Sequence, residues 1–247
     1  MIQAADERMH RNQLLYAVNI SRRYNYVYMD NPKTGCSSLK SALVQLETKN
    51  LNNQMDHYDW RVFHDRSKSP LTRLDDLRYP TSLSTLQREG YQFITMVRNP
   101  YTRLLSCYRD KILGNSFQKH QVLDSLGKSG QPIETEVTFA EFVQAVSLQS
   151  DREMNPHWRV QSSHILFGLL DYSFIGRFEE YERDFIEVFH AIGVADDDIP
   201  EHRHLNRTKK GTSEHCDAFY TPELKEAVYQ RYRPDFDNFG YSFELPL

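Results

Sequence analysis

The residues with the clearest chemistry are Asn31-Pro32-Lys33-Thr34-Gly35-Cys36-Ser37-Ser38-Leu39. A small-residue turn that enters a helix presents backbone N–H groups and the positive end of a helix dipole to an anion. Gly35 lets the main chain approach closely. Thr34, Ser37 and Ser38 add hydroxyl donors around Cys36, and Lys33 supplies a point charge. The segment is not a Walker A loop, because its lysine precedes the glycine instead of following a second one. A polar strand-to-helix turn with an incidental lysine is the alternative reading of the same residues.

A second constellation runs from Arg98 to Lys111, Arg-Asn-Pro-Tyr-Thr-Arg-Leu-Leu-Ser-Cys-Tyr-Arg-Asp-Lys. Arg98 is expected at the end of a strand, at the carboxyl edge where open α/β sheets hold their ligands. Ser106 falls on the helix that follows. A guanidinium fork with a hydroxyl suits a terminal phosphate. Arg103, Arg109 and Lys111 stay open between ligand contacts and a solvated helix face. His202, His204, His215 and Cys216 could be assembled into a zinc site. Their spacing matches no standard finger, and the intervening Asn-Arg-Thr-Lys-Lys run would set cations beside the metal, so no metal is expected.

These residues need elements to position them. Asn25 to Asp30 is an aromatic and β-branched run that predicts a buried strand, with Leu39, Leu43 and Leu46 at helical spacing after the turn. Tyr91 to Val97 predicts a second strand, and Pro100 fits the first turn of a helix over Tyr101 to Leu113. Tyr172 to Gly176 reads as a third strand. Helices are expected near Thr138–Ser147, Glu179–Ile192 and Pro222–Arg231. Met55 to Gly90 reads as loops with short helices, and Gly114 to Glu136 as a surface excursion broken by Gly127, Gly130 and Pro132. Strands alternating with helices predict an α/β fold, a P-loop-like three-layer domain with a central parallel β-sheet flanked by helices. One domain over 1–247 is expected, with its core at about 25–241.

Bulk composition narrows the partners. The 247 residues suit a single α/β domain. A net charge of −4 argues against general affinity for nucleic acid or an anionic membrane, without excluding a local basic pocket. Three cysteines, two of them inside the candidate motifs, make no disulfide framework and suggest reduced thiols. Met1 to Arg23 is polar and lacks the apolar core of a signal peptide, so a cytoplasmic location is expected.

The Pro-Lys-Thr-Gly-Cys-Ser-Ser-Leu run resembles the 5′-phosphosulfate loop of sulfotransferases that use 3′-phosphoadenosine-5′-phosphosulfate (PAPS). The Arg98–Ser106 segment resembles their 3′-phosphate motif. Asn155–Gln161, Asp171–Glu179, His204–Thr208 and Tyr232–Tyr241 continue the likeness in order. Together they resemble the carbohydrate sulfotransferase family that includes the chondroitin 4-O- and HNK-1 enzymes, with heparan sulfate 2-O-sulfotransferase more distant. The membrane anchor and cysteine pairs of the animal Golgi enzymes are missing from the pattern, which fits a bacterial, cytosolic branch.

The resemblance implies transfer of a sulfuryl group from PAPS to a carbohydrate hydroxyl, leaving PAP. A hydroxylated small natural product is the alternative acceptor. It implies that Lys33 stabilises the leaving 5′-phosphate and that Arg98 and Ser106 hold the 3′-phosphate, with Arg207 and Lys209 in a basic loop folding over it. His64 lies between the two donor motifs, where such enzymes place a catalytic base, and His57 is the runner-up. His57 and His157 are the expected acceptor contacts. A phosphate-transferring kinase is disfavoured by the missing Walker A pattern and by the lack of an evident magnesium carboxylate. A catalytically dead PAPS-binding module is the remaining alternative.

Overall fold

The computed structural model describes residues 2–49, 69–77, 82–201 and 213–246. In chain order they form α1 (Ile2–Arg8), α2 (Arg11–Ala17), β1 (Val18–Ser21), β2 (Tyr26–Met29) and α3 (Cys36–Thr48). Then come α4 (Leu83–Arg88), β3 (Gln92–Val97), α5 (Pro100–Cys107), α6 (Lys119–Ser125), α7 (Phe139–Leu148) and α8 (Gln161–His164). The last elements are β4 (Phe174–Arg177), α9 (Tyr181–Ala191), α10 (Pro222–Arg231) and α11 (Arg233–Phe239). These residues cluster into two compact units. The first comprises 11–97 and 165–207, and the second 2–10, 98–164 and 208–247.

The first unit holds a four-stranded sheet in the order β1-β2-β3-β4. β2, β3 and β4 run parallel, as expected of crossover connections, with Tyr28 opposite Ile94 and Ile94 opposite Phe174. β1 runs antiparallel to β2, so the sheet is mixed rather than wholly parallel. Every residue of β2 is buried and β3 is buried from Phe93 onward, in keeping with aromatic and branched strands covered on both faces. On one face Tyr26, Tyr28, Ile94 and Met96 form a core with Leu39, Leu43 and Leu46 of α3 and Phe185, Val188 and Phe189 of α9.

Polar residues hide β1 from a hydropathy reading. Asn19 is buried there because its amide is satisfied, donating to the carbonyls of Ala17 (2.9 Å) and Tyr28 (3.3 Å).

The second unit is helical. Its core joins Tyr101, Leu104, Leu105 and Tyr108 to Phe139, Phe142 and Val146 of α7, to Trp158, and to Val228 and Phe236. α5 is buried along its whole length and continues into a π-helical turn over Tyr108–Ile112. Pro100 takes the first-turn position, and Asn99 caps the helix by accepting from the Tyr101 N–H at 3.0 Å. α6 lies inside the stretch expected as a surface excursion. Val122 and Leu123 anchor it in the core, while Gly127 and Gly130 take positive φ beyond its end. No helix among the described residues is long and apolar enough to cross a membrane.

Candidate functional site

The loop between β2 and α3 belongs to the first unit. Asn31, fully buried, donates to the Met96 carbonyl at 2.9 Å and ties the loop's start to the end of β3. Thr34 turns inward, its hydroxyl donating to the Asn31 carbonyl at 2.7 Å. That bond closes the turn. Lys33 has φ 73° and Gly35 φ 79°, both left-handed. For glycine that conformation is easy, whereas for lysine it is strained. Gly35 stands at the N-cap of α3 and supplies no side-chain cap to its first turn. Amides of such a turn are the groups that receive an anion.

Two contacts hold this turn. The Tyr181 hydroxyl donates to the Gly35 carbonyl at 3.2 Å, and its ring lies where a Cβ on Gly35 would have to go. Lys40 of α3 pairs with Asp30 at the end of β2, both side chains being buried. Burial is the largest single influence on the Lys40 ammonium and pulls it down, but Asp30, joined by Cys36 and Tyr16, raises the lysine above its ordinary value. Ser38 is buried, whereas Lys33, Cys36 and Ser37 are partly exposed. Burial and then the Asp30 charge push the Cys36 thiol up to about 12. That direction is opposite to the one that activates a thiol as a nucleophile.

In the second unit Arg98 follows directly on β3 and is buried. Its Nε donates to the Thr102 hydroxyl at 3.0 Å, so the side chain lies along α5. Ser106, also buried, is one turn further on the stripe that carries Thr102. Arg98 and Ser106 thereby share one helix edge. Arg103 points elsewhere. Its Nη1 donates to the Arg159 carbonyl (2.8 Å) and its Nη2 to that of Pro156 (3.1 Å), which makes it a structural tie. Cys216 lies close enough to Arg98 and Arg109 for both to draw its thiol down, although burial wins and raises it.

The Asn155–Gln161 stretch is mostly structural. Trp158 is buried and donates to Gln149 at 2.9 Å. Arg159 is buried among main-chain carbonyls, including that of Asp151 at 2.7 Å. Burial pulls its guanidinium to about 10, with Asp151 opposing. His157 is half-buried with Nδ1 2.7 Å from the Asn155 amide oxygen. That contact fixes the ring without assigning it an acceptor.

His57, His64, Arg207 and Lys209 lie outside the described residues, as do His202 and His204. Among the described residues no cluster of three or more His, Cys, Asp or Glu side chains could hold a metal ion. Sequence reasoning missed Asp30, Lys40, Tyr181, Gln161 and Asp235 as supports of the two motifs. Lys40 carried a signal, a cation within the apolar stripe of α3, and Gln161 and Asp235 lie inside the Asn155–Gln161 and Tyr232–Tyr241 stretches singled out above.

The model of the Sulfotransferase family matches residues 16–242. Human carbohydrate sulfotransferase 14 is 28% identical over 239 residues, covering 94% of this chain and 61% of that protein. Mouse carbohydrate sulfotransferase 8 is 27% identical over 252 residues, covering 90% of this chain and 56% of its own length. Human carbohydrate sulfotransferase 9 is 25% identical over 257 residues, with coverages of 94% and 55%. The chain thus spans 55–61% of the length of these relatives. No solved structure matches.

Proposed function

The chain belongs to the sulfotransferase family, and from that premise we propose that it transfers a sulfuryl group from PAPS to a hydroxyl of a carbohydrate acceptor, leaving PAP. The observation that carries the reading is the Asn31–Ser38 turn, with Lys33 and, two residues on, Gly35 both left-handed at the start of α3, where Gly35 gives no side-chain cap. In the reaction the acceptor oxygen attacks sulfur and the bond from sulfur to the bridging 5′-phosphate oxygen breaks. The hydroxyl proton passes to a base. Such transfers have loose, in-line transition states, so catalysis rests on positioning and on neutralising the leaving charge.

Each chain residue then has one task. Lys33 neutralises charge gathering on the 5′-phosphate. Amides of Gly35, Cys36, Ser37 and Ser38, with the serine hydroxyls, cradle that phosphate. Arg98 and Ser106 hold the 3′-phosphate, with Arg207 and Lys209 closing over it. His64 takes the proton, with His57 as the competing base, and His57 and His157 contact the acceptor. No step calls for a metal. The names of the relatives support a carbohydrate acceptor. The test is transfer of label from [35S]PAPS to glycan hydroxyls in the presence of a chelator. Absence of transfer to every glycan tested would refute the assignment.

A further inference from the structure

The buried polar cluster behind Arg98 has no part in the chemistry described above, yet it reaches that arginine through Gln161. β3 ends at Val97, whose ladder partner is Arg177, and Arg98 is the next residue of the chain. Gln161 pairs with its main chain. Its Oε1 accepts from the Arg98 N–H at 2.9 Å and its Nε2 donates to the Arg98 carbonyl at 2.7 Å. A carboxamide matches the donor and acceptor of one residue's main chain only in a single flip state.

Asp235 reinforces that state. Its Oδ2 lies 3.4 Å from Gln161 Nε2 and accepts from the Gln161 N–H at 2.8 Å. Oδ1 accepts from the Ser162 N–H at 2.7 Å and from the Ser162 hydroxyl at 2.6 Å. A reversed carboxamide would face two oxygens with a third. Gln161 and Asp235 are both fully buried. Both side chains satisfy buried main-chain groups and so also support the fold, by about 1–3 kcal/mol for each group that would otherwise be left unpaired.

We propose that Gln161, oriented by Asp235, is a positioning residue that aims Arg98 at the 3′-phosphate and so sets the preference for a 3′-phosphorylated nucleotide. This rests on the donor-site reading above. The lever is long: a tilt of about 10° in the Arg98 main chain moves the tip of its roughly 7 Å side chain by about 1 Å, a misplacement on the scale that costs a positioned contact up to a hundredfold.

The test titrates the full chain with PAP and with adenosine 5′-monophosphate, which lacks the 3′-phosphate. Arg98→Ala is expected to abolish the preference for PAP. Gln161→Leu, Gln161→Glu and Asp235→Asn are expected to weaken PAP binding by about tenfold to a hundredfold and to leave the monophosphate within about twofold. The glutamate and asparagine variants keep shape, so the result does not hang on the folding of the leucine variant. Equal loss of both ligands overturns the proposal, as does wild-type PAP affinity with only a lowered melting temperature. If Arg98→Ala itself leaves the preference intact, the donor-site reading falls with it. If Arg98→Ala abolishes the preference and the other three variants do not, the positioning role alone falls.

Discussion

Lys33 is held at φ 73° in a loop whose proposed task needs its ammonium. That combination predicts opposite effects on stability and activity. A left-handed conformation costs a residue with a Cβ about 1–2 kcal/mol. Glycine avoids this but gives back about 0.5–1 kcal/mol through its freer unfolded chain. Lys33→Gly is therefore expected to be more stable than Lys33→Ala by about 0.5–1 kcal/mol, since alanine keeps the strain. Both variants lose the charge. If that charge acts as one preorganised electrostatic contact, turnover falls by about a hundredfold to a thousandfold in each. The assay pairs urea midpoints of the wild-type protein and both variants with PAPS turnover under one set of conditions. A glycine variant no more stable than the alanine variant would show that the turn stores no strain at this position. Turnover surviving in Lys33→Gly would remove the ammonium from the mechanism, whatever the midpoints.

Two further outcomes are expected. Gly35→Ala adds left-handed strain and drives a methyl into the Tyr181 ring, for about 2–4 kcal/mol of destabilisation; an unchanged urea midpoint would contradict the packing described here. Glu141 closes a capping box with Thr138, accepting from its N–H at 2.8 Å, and pairs with Lys128 at 2.6 Å. The Lys128 contact first, and the Thr138 N–H next, hold its carboxyl down at about 2, against an ordinary 4.5. A depressed carboxyl stabilises the fold above its unfolded pKa and loses that contribution as pH falls through the folded one. Glu141→Gln is thus expected to cost about 1 kcal/mol at pH 7, a cost that fades between about pH 4.5 and 2. A pH-independent difference in urea midpoints would show that the charge is irrelevant.

How much could be read without coordinates differed by feature. The Asn31–Leu39 turn was legible because its signals are local: a strand of aromatic and branched residues, a proline and a glycine, then leucines at helical spacing. Pro100 likewise marked the start of α5. β1 escaped because the buried amide of Asn19 is paid for by main-chain acceptors that hydropathy does not register. α6 escaped because the breakers around it dominate a short helix anchored by Val122 and Leu123. Arg98 and Arg103 look alike in sequence, and only distant partners separate them: Gln161 for one, the carbonyls of Pro156 and Arg159 for the other. The same distance concealed Asp235, 74 residues from the glutamine it orients.

The central claim is sulfuryl transfer from PAPS to a carbohydrate hydroxyl, and one incubation tests it most directly. The purified chain is mixed with [35S]PAPS, a panel of unsulfated and partly sulfated glycans, and excess EDTA, and both labelled glycan and PAP are followed. The expected result is label on at least one glycan with one PAP released per sulfate, and loss of both in Lys33→Ala. PAP release without labelled glycan, or no turnover of PAPS with any glycan in the panel, would contradict it.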